Sequence, residues 1–494
     1  METKKITNNA RIAIVGAGPA GLSTAWFLAK NGYTNVTVLE KLGRVGGLCK
    51  SITVEGKSYD IGANYTTWAY KETFKIAKEV GATTYEEKPY TSIELDANET
   101  TFKYRNFREA VLYNMYTKEK ISLFRFVMKS IHYLLVRNKL SPIVDAPGYL
   151  DTIEAYPELC IPFKDWLEKN DLTDLATLFS FPITIMGYGK LEEIATPYAL
   201  RYMSLRTVFA MVFGGVPGVS WFIGTWPRRF TFGFQRLWER VAWRADVRLN
   251  VNITSIIRNG NDITVNFEYP EQQLNEIKTV KETQCYDYLV FAAPLTPDVF
   301  KKLGLQPNAA EQKISAKVRV NPYCMTTFWI NNMSMPAPIA PLLPIPENGI
   351  PWAVARQFQD NGINFTQFYT RPTPGQTDDE VIEQVRKLVK LMKGNIEETD
   401  GRWYTFDKFT YFQHFTPHDI ASGIYTDLAS MQGKDNTFYV GGATDFELVE
   451  PIVQHSKYIV ETHFVKERPT REPAGTVVNE TKLMAEERKV LEAY

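Results

Sequence analysis

The sequence predicts an α/β fold in which a doubly wound parallel sheet is joined to a second, α+β domain. Three observations indicate this fold. An apolar strand, a glycine-rich turn and a helix follow one another within residues 11–31. Two further apolar runs of strand length, at 287–294 and 436–440, end in turns of small residues. The 494 residues exceed one ordinary domain, so a second domain is expected.

The first forty residues have the spacing of a dinucleotide-binding unit. Residues 11–15 are apolar after one charge, as in a strand that is covered on both faces. The turn at 16–21 has the Gly-x-Gly-x-x-Gly pattern, and a helix is predicted over 22–31. A second strand, 36–39, leads to Glu40, a position at which a carboxylate can accept hydrogen bonds from the hydroxyl groups of a ribose.

Each glycine of that turn has a physical role. Gly16 permits the tight turn, Gly18 lets the backbone approach a pyrophosphate, and Gly21 lets helix and strand pack closely. The helix N-terminus at Pro19 and Ala20 then faces the phosphates with unpaired N–H groups and partial positive charge.

The residues after Glu40 resemble the double-glycine motif of the glutathione-reductase-like flavoproteins, in the branch that holds amine oxidases, phytoene-type desaturases and protoporphyrinogen oxidases. The motif is Gly46-Gly47, and Gly62-Ala63 follows later; glycines there let the backbone pass close to a cofactor. The resemblance implies FAD, not NAD, in a glutathione-reductase-like FAD-binding domain. The implied cofactor contacts are Gly16, Gly18, Pro19, Ala20, Gly21, Glu40, Lys41, Gly46, Gly47, Leu48, Gly62, Ala63, Asn64, Ile253, Gly441, Gly442, Ile452 and Val453.

Distant segments agree with that resemblance. A strand predicted over 247–253 implies a backbone contact from Ile253 to adenine, and a helix that starts at Pro451 directs its positive end to the flavin pyrimidine oxygen. The family usually has Gly-Glu or Gly-Asp where this chain has Gly441-Gly442. The usual acidic contact to the cofactor is therefore absent or supplied elsewhere.

The resemblance implies a discontinuous arrangement of domains. The FAD-binding domain comprises residues 1–85, 233–300 and 430–466. A substrate-binding domain with a helical cap comprises 86–232 and 301–429, with helices within 107–140 and 161–206, a strand at 323–330 and a helix over 379–392. Residues 467–494 form a C-terminal arm. No second Gly-x-Gly-x-x-Gly turn follows a strand, so hydride is expected to come from the substrate and not from a nicotinamide.

Composition restricts the partners and the cellular compartment. Lys plus Arg and Asp plus Glu both number 56, and this balance gives no reason to expect nucleic acid. The four cysteines have no CxxC spacing and residues 1–10 lack an apolar run, which predicts reduced thiols in a cytoplasmic protein. Pro417 precludes an ordinary helix between His414 and His418, and the five histidines predict no metal site. The sequence specifies no oligomeric state.

One stretch, 207–226, has no charged residue. The pairs Gly214-Gly215 and Pro217-Gly218 interrupt it, which disfavours a membrane-spanning helix. The favoured interpretation is the wall of a buried cavity for a small, lipid-like substrate. The alternative is contact with a membrane surface, which would make the protein peripheral at a membrane.

One residue distinguishes amine oxidases of this family: they usually have a lysine near flavin N5. By register that position falls near Tyr323 or Cys324, and Lys317 comes too early. The absence of the lysine disfavours an amine oxidase.

A closer similarity is to the FAD-dependent polyunsaturated fatty acid isomerases. Beyond the FAD motif it covers residues 185–189, 411–414, 431–433, 436–439 and 456–457. It implies a redox-neutral reaction in which hydride leaves an allylic or bis-allylic carbon for flavin N5 and returns elsewhere, so that the double bond moves. The substrate contacts that we predict are Tyr65, Met186, Tyr188 and His414, with Tyr188 and Tyr323 as the candidates beside the flavin.

Two departures leave the substrate open. The cation that binds the substrate carboxylate in those isomerases has no clear counterpart here, because the corresponding residues, 86–93, include only one cation, Lys88. Arg201, Arg206, Arg228 or Arg229 would have to bind the carboxylate instead. Met186 also replaces an aromatic residue. The substrate is therefore an unsaturated fatty acid or another polyene. The alternative activity is an FAD-dependent oxidase or desaturase of a lipid-like or amine substrate, and a flavoprotein subunit without turnover is a third.

Overall fold

The structure is a computed structural model, and it describes residues 6–54, 57–67, 69–86, 91–95, 102–106, 120–208, 228–260, 262–273, 276–333, 339–343, 345–346, 349–360, 363–396 and 404–465. Four features of the sequence lie outside these residues. They are Lys88, the first part of the helical region (107–119), most of the uncharged stretch (209–226) and the C-terminal arm.

The described residues contain twenty strands and thirteen α-helices. The strands are β1 (Ile12–Val15), β2 (Val36–Leu39), β3 (Ser51–Val54), β4 (Lys57–Asp60), β5 (Thr84–Glu86), β6 (Thr91–Leu95), β7 (Phe102–Asn106), β8 (Arg228–Phe230), β9 (Asp246–Arg248), β10 (Asn252–Asn259), β11 (Asp262–Gln273), β12 (Glu276–Tyr286), β13 (Tyr288–Phe291), β14 (Arg319–Asn331), β15 (Ile339–Leu343), β16 (Ala353–Asp360), β17 (Ile363–Thr370), β18 (Asn395–Ile396), β19 (Thr405–His414) and β20 (Thr437–Tyr439).

The α-helices are α1 (Pro19–Lys30), α2 (Lys71–Glu79), α3 (Leu123–Val144), α4 (Phe163–Lys169), α5 (Ala176–Ile185), α6 (Thr196–Tyr202), α7 (Phe234–Ala242), α8 (Pro297–Lys302), α9 (Ala309–Ser315), α10 (Asp378–Leu391), α11 (Pro417–Ala421), α12 (Ile424–Met431) and α13 (Val449–His463). Short 3₁₀ helices cover Pro147–Ala155, Thr173–Leu175, Lys434–Asn436 and Gly442–Thr444.

A five-stranded parallel sheet confirms the predicted α/β fold. Its order is β20-β13-β1-β2-β9, so strands from the beginning, the middle and the end of the chain lie side by side. The central strand β1 is buried at every position, because helices cover both faces of a parallel sheet. The domain boundaries predicted from the sequence agree with this mixing of distant segments and remain a prediction.

Helix α1 begins directly after Gly18, the second glycine of the turn. Pro19 takes the first helical position, where its missing N–H costs nothing and its fixed φ suits the helix, so the helix starts three residues earlier than predicted. A Cβ at residue 21 would lie 1.9 Å from the carbonyl oxygen of Gly16. Only glycine therefore permits the close approach of helix and turn at Gly21.

The predicted strand over 247–253 is wrong, because the chain breaks there into β9 and β10. Asn250 has a φ of +58°, a conformation that asparagine tolerates better than most residues. Its N–H donates to the carbonyl of Leu42 and the N–H of Val251 to that of Glu40. Strand β9 then stays in the parallel sheet, whereas β10 pairs antiparallel with β11 and carries Ile253.

The second half of the molecule is built on an eight-stranded sheet with the order β18-β14-β17-β16-β15-β6-β7, in which β19 also pairs with β14. Helix α10 packs on it through Ile382, Val385 and Val389. Thr377 and Glu380 form a capping box at its N-terminus, which places the helix within one residue of its predicted bounds.

Candidate active site

One cavity of about 1750 Å³ runs from the carboxyl ends of β1, β2 and β13 to the strands β14, β17 and β19. The carboxyl edge of a parallel sheet is where such folds bind dinucleotides. Cavities for one small ligand usually measure about 300–1000 Å³. The volume here is sufficient for a dinucleotide and a second ligand.

Two glycine segments form a cradle at the first end of the cavity. A Cβ at Gly18 would meet only the Cα of Gly47, at 3.7 Å, and both residues line the cavity. No side chain caps α1, and its first turn has no acidic residue. Its N-terminus therefore presents N–H groups and partial positive charge to the cradle, as a pyrophosphate requires.

Glu40 and Lys41 line the cavity beside this cradle. The carboxylate of Glu40 accepts the N–H of Ala17 at 2.8 Å and that of Leu42 at 2.9 Å. A carboxylate has about four acceptor sites, so these two contacts fix the side chain and leave acceptors for ribose hydroxyls. The residue fits the role predicted for it.

The segment from Gly62 to Tyr65 borders the middle of the cavity. A Cβ at Gly62 would lie 1.7 Å from the carbonyl oxygen of Leu48, and the N–H of Ala63 donates to that oxygen at 3.0 Å. Asn64 donates to the hydroxyl of Tyr369 at 2.8 Å. The glycine therefore holds this segment against the double-glycine turn and ties it to β17.

The C-terminal segment completes the dinucleotide end. Gly441 has a φ of +135°, and a Cβ there would have no atom of the described residues within 4 Å. Gly442, Pro451 and Ile452 also line the cavity, and Ile452 belongs to the first turn of α13, which no side chain caps. The positive end of this helix faces the cavity and suits a developing negative charge on a bound ring.

Tyrosine rings form the opposite end of the cavity. Tyr188, Tyr323, Tyr369 and Tyr411 line it, with ring centroids of neighbours 5.6–6.3 Å apart. A Cβ at Gly187 would meet the rings of Tyr411 and Tyr323 at 3.0 and 3.1 Å, so glycine is needed for these rings to meet.

Backbone carbonyls hold the hydroxyls of two of these tyrosines. The hydroxyl of Tyr188 donates to the carbonyl of Glu447 at 3.3 Å, and that of Tyr323 donates to the carbonyl of Ile185. Burial raises the pKa of Tyr188 and of Tyr323 well above the usual value for tyrosine. These rings are therefore neutral at physiological pH and suit an apolar ligand.

Strand β14 shows what stands at the position expected for the family lysine. Tyr323 and Met325 line the cavity, whereas Cys324 between them does not, as the alternation of a strand requires. Lys317 forms an ion pair with Asp419 instead of lining the cavity.

Sequence reasoning missed a lysine that does line the cavity. Lys50 lies at the start of β3, next to the double-glycine turn, and forms an ion pair with Asp407 of β19. Lys50 and Asp407 meet only because two strands that are distant in the sequence lie close together in the fold. The sequence shows both residues but not that they are neighbours. Glu447 also lines the cavity, and it was missed because its neighbours in space are distant in the sequence.

Four predicted site residues do not line the cavity. His414 stacks on Phe412 with ring centroids 4.4 Å apart, and the predicted substrate contact is therefore not brought to the wall. Val453 is fully buried in the core. Gly21 and Gly46 shape the two turns behind the cradle without reaching its surface.

The candidate arginines lie in different environments. Arg201 lines the cavity but forms a buried ion pair with Asp445 at 2.7 Å. Arg229 packs over the ring of Tyr65, 5.0 Å from its centroid, and does not line the cavity; neither does Arg228. Arg206 both lines the cavity and is exposed, which places it at the mouth. Met186, which replaces an aromatic residue of the fatty acid isomerases, lines the aromatic end of the cavity.

None of the helices in the part of the chain that the structure describes is long and apolar enough to cross a bilayer. Most of the uncharged stretch is outside that part.

The sequence is similar to several curated proteins over parts of their length. It is 27% identical over 204 residues to the polyenoic fatty acid isomerase of Ptilota filicina, which covers 39% of this chain and 40% of the relative. It is 44% identical over 71 residues to protoporphyrinogen oxidase 2 of Arabidopsis thaliana, or 14% of each chain. The matched stretches thus span less than half of either relative.

Solved structures share the fold over nearly the whole chain. The CLA-producing fatty acid isomerase from P. acnes superposes with a TM-score of 0.75 at 22% identity, covering 93% of this chain and 100% of that one. Cyclohexylamine oxidase from Brevibacterium oxydans superposes with a TM-score of 0.61 at 13% identity, covering 92% and 99%. At such identities the similarity establishes the fold.

The profile of one protein family matches most of the chain. It is the family of flavin containing amine oxidoreductases, and the match spans residues 19–445. The glycine cradle, Glu40 and the two helix N-termini fit the cofactor of that family. The chain belongs to the flavin containing amine oxidoreductase family and is an FAD-dependent enzyme.

Proposed function

We propose that the enzyme is an isomerase that moves double bonds in an unsaturated fatty acid or another polyene without net oxidation. The observation that carries this proposal is the aromatic end of the cavity, where tyrosine rings and Met325 stand and β14 supplies no lysine. Flat, neutral rings provide an apolar surface against which an unsaturated acyl chain can pack. The similarity to the isomerase of Ptilota filicina supports the same reaction.

We further propose that the residues of the cradle hold FAD as predicted, apart from those that lie behind its surface. When bound, FAD supplies a hydride acceptor and donor at N5. The protein supplies the geometry. Gly18 and Gly47 leave room for the pyrophosphate, and Tyr188, Tyr323 and Tyr411 hold an extended acyl chain and exclude water from it.

The reaction is tested by anaerobic incubation of the flavin-loaded enzyme with a panel of unsaturated fatty acids. We expect a new conjugated-diene or conjugated-triene absorbance in the ultraviolet, and a product of unchanged mass. A product two hydrogens lighter with a bleached flavin would contradict the proposal and indicate a desaturase. No change with any fatty acid would remove this substrate class.

Arg206 is the residue that we expect to hold the carboxylate of a free acid. It lines the cavity and is exposed, so that it lies at the mouth. An arginine binds a carboxylate through two parallel hydrogen bonds. Arg206→Gln should therefore raise KM for a free fatty acid about tenfold, or about 1.4 kcal/mol, and leave KM for its methyl ester unchanged.

The matched control for this prediction is Arg228→Gln. Arg228 donates to the hydroxyl of Thr84 at 3.0 Å and does not line the cavity. Neither KM should change in it. Equal effects of Arg206→Gln on acid and ester would exclude a carboxylate anchor at this position.

A second candidate is an oxidase or desaturase of a lipid-like or amine substrate, which Lys50 favours. Its ammonium group is a cation in the cavity wall, paired with Asp407. Amine oxidases of this family usually have a lysine near the flavin, although on another strand. Oxygen uptake with stoichiometric hydrogen peroxide during turnover would favour this candidate over the isomerase.

A further inference from the structure

Glu447 is a buried acid in the cavity wall that the proposed reaction does not use. It lies between the 3₁₀ helix Gly442–Thr444 and α13, and only 8% of it is exposed. It lines the cavity where the C-terminal segment meets the aromatic end, because its backbone carbonyl accepts the hydroxyl of Tyr188 at 3.3 Å. A buried carboxyl group needs hydrogen-bond donors, so its partners indicate what it does.

The side chain of Glu447 fills the space that a side chain at residue 442 would occupy. A Cβ on Gly442 would lie 3.1 Å from each of the Cβ, Cγ and Cδ atoms of Glu447. A side chain at residue 442 would therefore force the side chain of Glu447 to move from its present position. The glycine that replaces the acid of the family pattern makes room for an acid from five positions later.

The carboxyl group is held in place but keeps acceptor capacity. It accepts the N–H of Gln413 at 2.5 Å and also a hydrogen bond from the backbone of Phe412. The side chain of Gln413 in turn accepts the N–H of Leu295 at 2.8 Å. Leu295 and Gln413 both line the cavity. Because a carboxylate has about four acceptor sites, Glu447 can still accept hydrogen bonds from hydroxyl groups of a ligand. Burial raises its pKa to about 7, so the charged form predominates only above neutral pH.

We propose that Glu447 binds the ribityl chain of FAD by accepting hydrogen bonds from its hydroxyl groups, in place of the acid that is missing at residue 442. The ribityl chain is the polyhydroxylated part of the cofactor between the diphosphate and the ring. The cradle at Gly18 and Gly47 holds one side of it, and Gly62 with Ile452 borders the other. This role is independent of whether the enzyme is an isomerase or an oxidase.

The test compares the binding of FAD with that of ADP to apoprotein. ADP has the adenosine and diphosphate of FAD but lacks the ribityl chain and the ring. In Glu447→Gln we expect Kd for FAD to rise about tenfold or more, because a charged acceptor is lost, and Kd for ADP to stay unchanged. Quenching of flavin fluorescence measures the first, and competition with FAD measures the second. Asp174→Asn, a buried acid outside the cavity, is the control and should change neither.

A pair of exchanges tests the shared space directly. Gly442→Asp alone and Glu447→Gly alone should each weaken FAD binding, the first by collision and the second by loss of the acid. The double variant Gly442→Asp/Glu447→Gly moves the acid back to residue 442 and should recover Kd to within about threefold, a coupling that independent sites would not show. If the variants at residue 442 or Glu447→Gly do not fold, the FAD and ADP affinities of Glu447→Gln alone test the proposal.

Three results would overturn the proposal. They are an unchanged Kd for FAD in Glu447→Gln, an equal loss of FAD and ADP affinity in that variant, or a folded double variant that binds FAD more weakly than both single variants. The equal loss would assign Glu447 only a structural contact with Gln413. None of these results depends on turnover, so each is distinguishable from failure of the proposed isomerase reaction.

Discussion

Gly18→Val is expected to give folded protein that purifies without yellow colour. A Cβ at residue 18 has only the Cα of Gly47 near it, at 3.7 Å, so the valine side chain projects into the cavity without distorting the turn. It then occupies the space over the N-terminus of α1 that a pyrophosphate needs. The loss of two charge-assisted hydrogen bonds of about 2 kcal/mol each raises Kd for FAD about a thousandfold.

The measurements are the flavin absorbance of purified protein, titration of apoprotein with FAD, and circular dichroism. We expect Gly18→Val to keep the dichroism spectrum and the melting temperature of wild-type apoprotein. Gly21→Ala is the contrasting variant, because its Cβ would lie 1.9 Å from the carbonyl oxygen of Gly16. That variant should be destabilised as apoprotein. A yellow Gly18→Val protein would show that the pyrophosphate lies elsewhere.

The dinucleotide end was predictable because its signals are local. The turn at 16–21 and the acid at Glu40 lie within one β-α-β unit, where spacing alone specifies geometry. Even there the start of α1 was misplaced, since Pro19 reads as a turn residue and as a first helical residue equally well. The break at Asn250 was missed because the alternating apolar residues continue through it.

The substrate end was less predictable because its residues meet through strand pairing. Tyr323 and Tyr411 come from β14 and β19, and their rings meet only in the register that aligns these strands. His414 is only three residues beyond Tyr411, yet it stacks on Phe412, whose φ of +55° interrupts the regular strand. The contact between Glu447 and Gly442 was equally unpredictable, because the spacing of residues does not determine the path of the backbone between them.

Arg201 joins three segments beneath the cavity through contacts that are almost fully buried. Its guanidinium group donates to Asp445 at 2.7 Å and to the carbonyls of Val144 and Ala146 at 2.8 and 2.7 Å. It also lies 5.3 Å from the centroid of the Tyr149 ring. The side chains of Arg201 and Asp445 are 3% and 0% exposed, so neither charge has water as an alternative partner.

Arg201→Met is therefore expected to lower the free energy of unfolding by about 3–5 kcal/mol at pH 8, because it leaves the charge of Asp445 buried without a cation. Denaturant titration of the apoprotein measures this loss. In the double variant Arg201→Met/Asp445→Asn the uncompensated charge is gone, and part of the stability should return. A loss below about 1 kcal/mol in the single variant would show that water or backbone donors replace the arginine.

The pH dependence of the loss gives a second, independent check. Burial raises the pKa of Asp445 to about 6 in spite of the opposing effect of Arg201, so the stability that this group contributes is present below its ordinary value near 4 and is lost as the pH rises through 6. Without Arg201 the pKa of Asp445 rises further. The difference in unfolding free energy between wild type and Arg201→Met should consequently be larger at pH 8 than at pH 5. A difference that does not change with pH would mean that Arg201 stabilises the fold through the carbonyls of Val144 and Ala146 and not through its charge.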